Sequence, residues 1–380
     1  MDAGFSNDQA QFREVVQRFL KDKSPPSAVR EQMATAQGFD TGVWRQLCGE
    51  VGLAGTHLPE RYGGFGFGPV ELGIVAEEMG RHLYCGPFFA SAVMAAYAIL
   101  NSGDESQKEA LLPGIADGTA IATLVLDDLN DVDRVGHAIK NTGSMSTPVL
   151  SGCARMVVDA QVANTLVVAA GAGAGSADGR ATDDTAVSLY VVDASHACVS
   201  VAGLEVMDPT RKLSSVTLTD APAELLGDGA AHLEHLWDQL NTILANEMIG
   251  GATQLFETTI DYMKLRVQFG RTIGSFQALK HRCADLLMEL ELARAAAYDA
   301  ARALASGTGE PYAANMAKAL AGDAYMAVAK AAIQLRGGIG FTWEEDTHLW
   351  FKRAKSSEVF LGTPVWHRER MIQKMEVANV

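Results

Sequence analysis

The spacing of apolar residues divides the chain into a helical part, a strand-rich part and a second helical part. Near the start, Phe12, Val15, Val16, Phe19 and Leu20 fall on one helical stripe. Ser6 or Asn7 is placed to cap that helix, and Pro25 and Pro26 to stop it. Further amphipathic helices read over 41–59 (running into a loop), 68–83, 91–103 and 106–118. From Thr119 the period changes. Short β-rich runs (120–126, 187–193, 197–206, 212–220) alternate with Gly, Asp and Ser clusters, and 162–193 reads as a hairpin with a long flexible tip. The texture becomes helical again near residue 231. Residues 232–266 read as one long helix, or as two with a bend at Gly250 and Gly251, and alanine-rich helices follow to the end. Helices of that kind pack side by side as a bundle. The expected fold is α+β and multidomain: an N-terminal helical domain (1–118), a middle β-barrel or sandwich (119–230) and a C-terminal four-helix bundle (231–380).

Two glycine-rich stretches invite a nucleotide-binding reading and fail it. Residues 61–68 (RYGGFGFG) follow no predicted strand, and the Gly171–Gly175 run leads into a polar loop and another strand instead of a helix. By chemistry alone the first is a tight turn with aromatic plugs. The joint after the long helix is richer. Arg266, Gln268, Arg271 and Gln277 cluster there around Gly270 and Gly274. Two guanidinium forks and two amides on a glycine-bearing turn suit an anion, although the same residues also describe an ordinary loop with solvated arginines.

Composition narrows the partners. With 46 acidic against 31 basic residues the net charge is −15, which argues against nucleic acid or an anionic membrane as the main partner. An anionic substrate then needs a local basic patch, for which Arg266, Arg271 and the run Lys352, Arg353, Lys355 are candidates. Five scattered cysteines without a CxxC pair suggest a reducing cytoplasm and no structural zinc, with Cys283 a small core residue. No apolar run is long enough to span a bilayer, and the polar, acidic N-terminus is unlike a signal peptide.

Three motifs, in order along most of the chain, resemble the acyl-CoA dehydrogenase family. The first comprises Trp44, Leu47, Gly52, Leu53, Pro59, Glu60, Tyr62, Gly63, Gly64 and Gly66. The second is the R-x-x-F-G stretch from Arg266 with its following F-Q at Phe276–Gln277, and the third is the Q-x-x-G-G stretch from Gln334. The resemblance implies the three-part architecture above and oxidation of an acyl-CoA to its trans-2-enoyl product. A carboxylate takes the α-proton and the β-hydrogen leaves as hydride to FAD. It places the 61–68 loop near the acyl-binding region. It assigns Arg266, Gln268, Phe269, Gln277, Gln334, Gly337, Gly338 and Thr363 to FAD binding, the helical-bundle residues reaching the ADP part of a flavin held mainly by a neighbouring subunit. Arg336 stands beside that set, either meeting the pyrophosphate or solvated.

The chain also departs from the family pattern. The usual catalytic glutamate precedes a Gly-Thr pair, but here Leu361 precedes Gly362 and Thr363. The alternative position on the preceding helix falls at or beside Leu240. Glu247, two helical turns on, returns to nearly the same face and is the candidate base; a structural Glu bonded to a neighbouring helix is the other reading. In the middle domain, Val157, Val158 and Asp159 replace the aromatic triplet expected beside the flavin ring. These losses beside retained ADP-side motifs suit one half of a heteromeric actinobacterial type of dehydrogenase acting on bulky steroid side-chain CoA esters. Its homologous partner subunit would carry the ring site, and an electron-transferring flavoprotein would take the electrons. A homotetramer using Glu247, or a non-catalytic structural partner, are the alternatives.

Overall fold

The computed structural model describes residues 4–172, 187–229 and 231–378. In chain order these form α1 (Asn7–Lys23), α2 (Pro26–Ala34), α3 (Thr41–Arg45), α4 (Pro69–Arg81), α5 (Ala96–Ser102) and α6 (Glu105–Asp117). Then come β1 (Ala122–Val125), β2 (Ile139–Asn141), β3 (Val149–Val158), β4 (Thr165–Ala172), β5 (Val187–Asp193), β6 (Val199–Gly203), β7 (Leu213–Pro222) and β8 (Glu224–Leu225). The remainder is α7 (Leu233–Leu265), β9 (Val267–Gln268), β10 (Arg271–Thr272), α8 (Gln277–Ser306), α9 (Ala313–Arg336), α10 (Thr347–Val359) and α11 (Pro364–Ala378). Helices, a middle sheet and a helical bundle follow one another as expected. The tip of the 162–193 hairpin and most of the Gly171–Gly175 run lie outside the described residues.

The chain forms two compact units. One gathers Met1–Glu31, Pro69–Tyr84 and Asn241–Val380; the other gathers Gln32–Gly68 and Cys85–Leu240. In the second unit the strands make one eight-stranded sheet in the order β6-β7-β3-β2-β4-β5-β8, with β1 alongside β4. β1 and β2 run parallel to β4, and the other pairings are antiparallel. The ladder between β3 and β7 breaks register twice, and at the second break Met156 adopts a left-handed backbone, as bulges that bend a sheet do. The sheet closes over a core that includes Val125, Ile139, Leu150, Leu166, Val168, Tyr190, Val216 and Leu218. The helix expected over 41–59 is cut short. α3 is five residues long, a wide π turn covers Gln46–Glu50, and Gly52 reverses the chain at φ 76°. A second π turn, Phe88–Ala95, precedes α5.

In the first unit, Ser6 caps α1 in a reciprocal box. Its hydroxyl accepts from Gln9 N–H at 3.2 Å, and the Gln9 side chain accepts from Ser6 N–H at 3.0 Å. α7 is one continuous 33-residue helix. Gly250 and Gly251 do not interrupt it; they let neighbours approach. A Cβ on Gly250 would overlap the Glu77 carbonyl of α4, one on Gly80 of α4 would overlap the Glu247 carbonyl of α7, and one on Gly251 would strike the Tyr325 ring of α9. Beside this contact Glu77 is fully buried. It receives the Arg294 guanidinium, the Arg13 guanidinium at 2.8 Å and the Tyr298 hydroxyl at 2.5 Å. Burial alone would raise its carboxyl, but Arg294 and Arg13 outweigh that and hold it below the usual carboxylate range.

Gly250→Ala should therefore destabilise the protein by roughly 2–3 kcal/mol, as overpacking at a fixed backbone contact does. Gly203→Ala, where an added Cβ meets nothing within 4 Å, should leave the denaturant midpoint in place.

Candidate cofactor edge and catalytic acid

The joint after α7 is a two-stranded hairpin instead of a plain helix–helix loop. Arg271 pairs with Gln268 and Thr272 with Val267. The two turn residues, Phe269 (φ 53°) and Gly270 (φ 77°), are both left-handed, which is the mirror-image turn that matches strand twist. Glycine accepts that conformation freely, whereas Phe269 does so at a cost and is left 92% exposed. The hairpin is anchored from below. Met263, Ile273 and Cys283 are buried together, with Tyr262, Phe276, Leu279 and Leu335 packed on them. Leu335 belongs to the Gln334–Gly338 segment, so one apolar cluster brings the R-x-x-F-G and Q-x-x-G-G motifs to the same end of the bundle.

The residues singled out there divide into an outer and an inner set. Arg266, Gln268, Gln277, Gln334, Gly337 and Gly338 are exposed. Cβ atoms on Gly337 or Gly338 would meet nothing within 4 Å. Among the described residues no hydrogen bond engages the side chains of Arg266, Gln268, Gln277 or Gln334, so a rim of free donors and open backbone faces outward. Such a rim fits a dinucleotide's anionic half. The Arg271 guanidinium lies 4.0 Å over the Phe276 ring. Arg336 is not solvated, one of the two expectations for it. It is buried, 3.2 Å from Glu345, donating to Thr259 Oγ1 at 2.6 Å and set over the Tyr262 ring.

The turn in place of the usual acid is tightly held. Leu361 is fully buried with a left-handed backbone (φ 59°), a conformation that costs a leucine on the order of 1–2 kcal/mol. His367 Nε2–H donates to its carbonyl at 3.0 Å, and Asn315 Nδ2 donates to His367 Nδ1 at 3.1 Å. Lys318 Nζ, fully buried, donates to the carbonyls of Gly362 (3.1 Å) and Glu358 (3.3 Å). A Cβ on Gly362 would lie 2.7 Å from the Trp366 ring. Thr363 starts α11, its hydroxyl accepting from Trp366 N–H at 3.3 Å. Sequence reasoning missed Asn315, Lys318 and His367. The available signal was two polar residues, Asn315 and Lys318, inside an alanine-rich helix with no charged neighbour.

Leu240 is fully buried, and Glu247 is 6% exposed. Arg353 of α10 reaches Glu247 Oε1 at 3.1 Å and is itself 4% exposed. The basic run is therefore not one surface patch. Arg353 turns inward, Lys352 lies 4.7 Å over the Trp343 ring and Lys355 pairs with Glu358. Among the described residues no helix is long and apolar enough to cross a membrane.

Comparison with known proteins agrees with this geometry. The family model for the acyl-CoA dehydrogenase N-terminal domain matches residues 6–119, and that for the C-terminal domain matches 238–375. Acyl-CoA dehydrogenase IpdE2 of Mycobacterium tuberculosis is 34% identical over 357 residues, 94% of each chain. Acyl-CoA dehydrogenase FadE34 of the same organism is 33% identical over 95% of this chain but 47% of its own length. A solved structure of the Tcur3481-Tcur3483 steroid ACAD superposes with a TM-score of 0.86 at 28% identity, covering 98% of both chains.

The His367 ring gives a pH prediction. Burial, and then the nearby Lys318 charge, push it down to about 2. It stays neutral when folded and takes up a proton when unfolded below about pH 6.5, so stability is lost as pH falls through that value. The loss should be about 1.4 kcal/mol between about pH 7.5 and 5.5 from this residue alone. Denaturant titrations of His367→Gln should show a pH slope shallower by that amount, whatever the variant's absolute stability.

Proposed function

This chain belongs to the acyl-CoA dehydrogenase family, and on that premise we propose that it is one subunit of a heteromeric, FAD-dependent enzyme that desaturates an acyl-CoA between Cα and Cβ. The observation that carries this reading is the contrast between an intact outer rim and an absent acid at the usual position. Arg266, Gln268, Gln277, Gln334 and the open Gly337–Gly338 backbone offer unengaged donors at one end of the bundle, whereas Leu361 and Leu240 are buried side chains that cannot take a proton. Bound FAD supplies the acceptor for the β-hydrogen. The exposed apolar side chains at the hairpin, Leu265, Val267 and Phe269, suit cover by a homologous subunit in a tetramer. FadE34, in which a chain of this length accounts for about half, supports such pairing, as does the two-protein name of the steroid ACAD. That name also supports a bulky steroid side-chain CoA ester as substrate. An electron-transferring flavoprotein is the acceptor proposed, and a reducing cytoplasm suits the five free cysteines.

Within this subunit we assign the base to Glu247. It is the carboxylate on the α7 face indicated by the family's alternative position, and it is buried, away from bulk water. Its contact with Arg353 favours a second reading, in which the pair is structural and the base comes from the partner. Breaking a buried pair costs roughly 3–5 kcal/mol, so the two readings separate. In the assembled enzyme Glu247→Gln should lower kcat by at least about a thousandfold if it is the base. Near-normal turnover with a lowered melting temperature assigns it to structure.

Arg266→Ala should weaken retention of FAD more than binding of the CoA thioester. Flavin absorbance per subunit after gel filtration reads the first, and calorimetry with a non-oxidisable thioether reads the second. Unchanged flavin content would exclude the ADP contact.

A further inference from the structure

In the unit that holds the sheet, His57 and Tyr97 meet ring to ring, with centroids 4.5 Å apart at a tilt of 47°. They are 8% and 5% exposed. Neither His57 nitrogen nor the Tyr97 hydroxyl has a hydrogen-bond partner among the described residues. An orphaned buried polar atom is costly, and native proteins rarely keep one without a ligand or ordered water to satisfy it. Here three such atoms gather on two touching rings.

Their sequence neighbours are apolar and buried, and local geometry fixes them. Leu53, Ala54, Leu58, Val93, Met94 and Ala98 are buried on either side in sequence. His57 follows a short 3-10 turn (Leu53–Gly55) in which Thr56 Oγ1 donates to Leu53 carbonyl at 2.7 Å. Tyr97 follows the wide π turn Phe88–Ala95, a distortion frequent at functional sites. Burial pushes the imidazole down to about 3 and raises the phenol, so both rings are neutral at physiological pH. The turn also leads outward. Phe65 N–H donates to Gly55 carbonyl and Phe67 N–H to Thr56 carbonyl, which ties the glycine-rich loop to the His57 turn. The two phenylalanines stack at 5.8 Å and stand about half exposed, an apolar lip bonded to the segment that carries the orphaned imidazole.

We propose that His57 and Tyr97 form a hydrogen-bonding subsite for a neutral oxygen, hydroxyl or ketone, carried on the acyl group of the substrate. The proposal rests on the acyl-CoA reading above. Two neutral rings offer no charge to hold a carboxylate, while a neutral oxygen satisfies what an all-hydrocarbon chain leaves unpaired. A ketone accepts from the Tyr97 hydroxyl. A hydroxyl both accepts from Tyr97 and donates to the unprotonated His57 nitrogen.

The test uses the FAD-loaded enzyme assembled with its partner and three acyl-CoAs of one carbon skeleton: unsubstituted, hydroxylated and oxo. Wild type should prefer the oxygenated pair by at least about tenfold in kcat/KM, the usual scale for one satisfied buried partner. Tyr97→Phe should bring both ratios close to one, and His57→Leu should reduce the hydroxyl ratio more than the oxo ratio. Equal kcat/KM for all three in wild type, or ratios untouched by both substitutions, would overturn the subsite and leave an ordered water as the occupant. Calorimetry with the matching non-oxidisable thioethers separates the two levels. Selective binding without turnover sinks the dehydrogenase reading alone, whereas turnover without selectivity sinks the subsite alone.

Discussion

The first unit depends on two helices touching backbone to backbone. α4 and α7 approach so closely at Gly80 and Gly250 that no side chain fits between them. That approach brings Glu77 into a fully buried position, where it is tolerable because Arg13, Arg294 and Tyr298 converge on it. An unpaired carboxylate there would cost several kcal/mol. The same close contact fixes the rotation of α7 about its axis, and that rotation decides which side chains of the helix face α10. Glu247 meets Arg353 as a consequence.

The chemistry-bearing features lie at the ends of this frame. At one end a cluster under Ile273 and Leu335 holds two distant sequence segments side by side, so a rim of donors is built from residues about sixty positions apart. At another, Lys318 and His367 grip a left-handed Leu361–Gly362 turn. Strained turns persist where the surroundings over-determine them. Here that surrounding is intact although the side chain it presents is inert.

Much of this was legible in the residues, and the illegible part has a common cause. The capped α1, the strand-rich middle and the long final helices follow from periodicity and end signals, which are local. The glycines at 250 and 251 kept a bend open beside one long helix, because a glycine's local effect is flexibility, while their role is tertiary: they leave space for another helix. The hairpin at 267–272 escaped because each strand is two residues long and its turn uses Phe-Gly in place of the usual Asn-Gly. The facing of Arg336 and Arg353 was unreadable for the same reason as that of Glu247. Spacing gives a face of a helix, but packing decides whether that face looks at water. His57 and Tyr97 lie forty residues apart, and no pattern in either segment announces that they touch.

The exposed hairpin has a consequence for how the enzyme is made. It is assembled from contiguous residues on a cluster within one unit, so it forms when this chain folds, before any partner arrives. A Phe at the tip of a finished hairpin, flanked by Leu265 and Val267, is an adhesive surface in the interval. In a heteromer of the kind proposed above, cells producing the two subunits in unequal amounts would accumulate a well-folded but sticky surplus. Matched synthesis of such a pair would then follow from one turn's geometry.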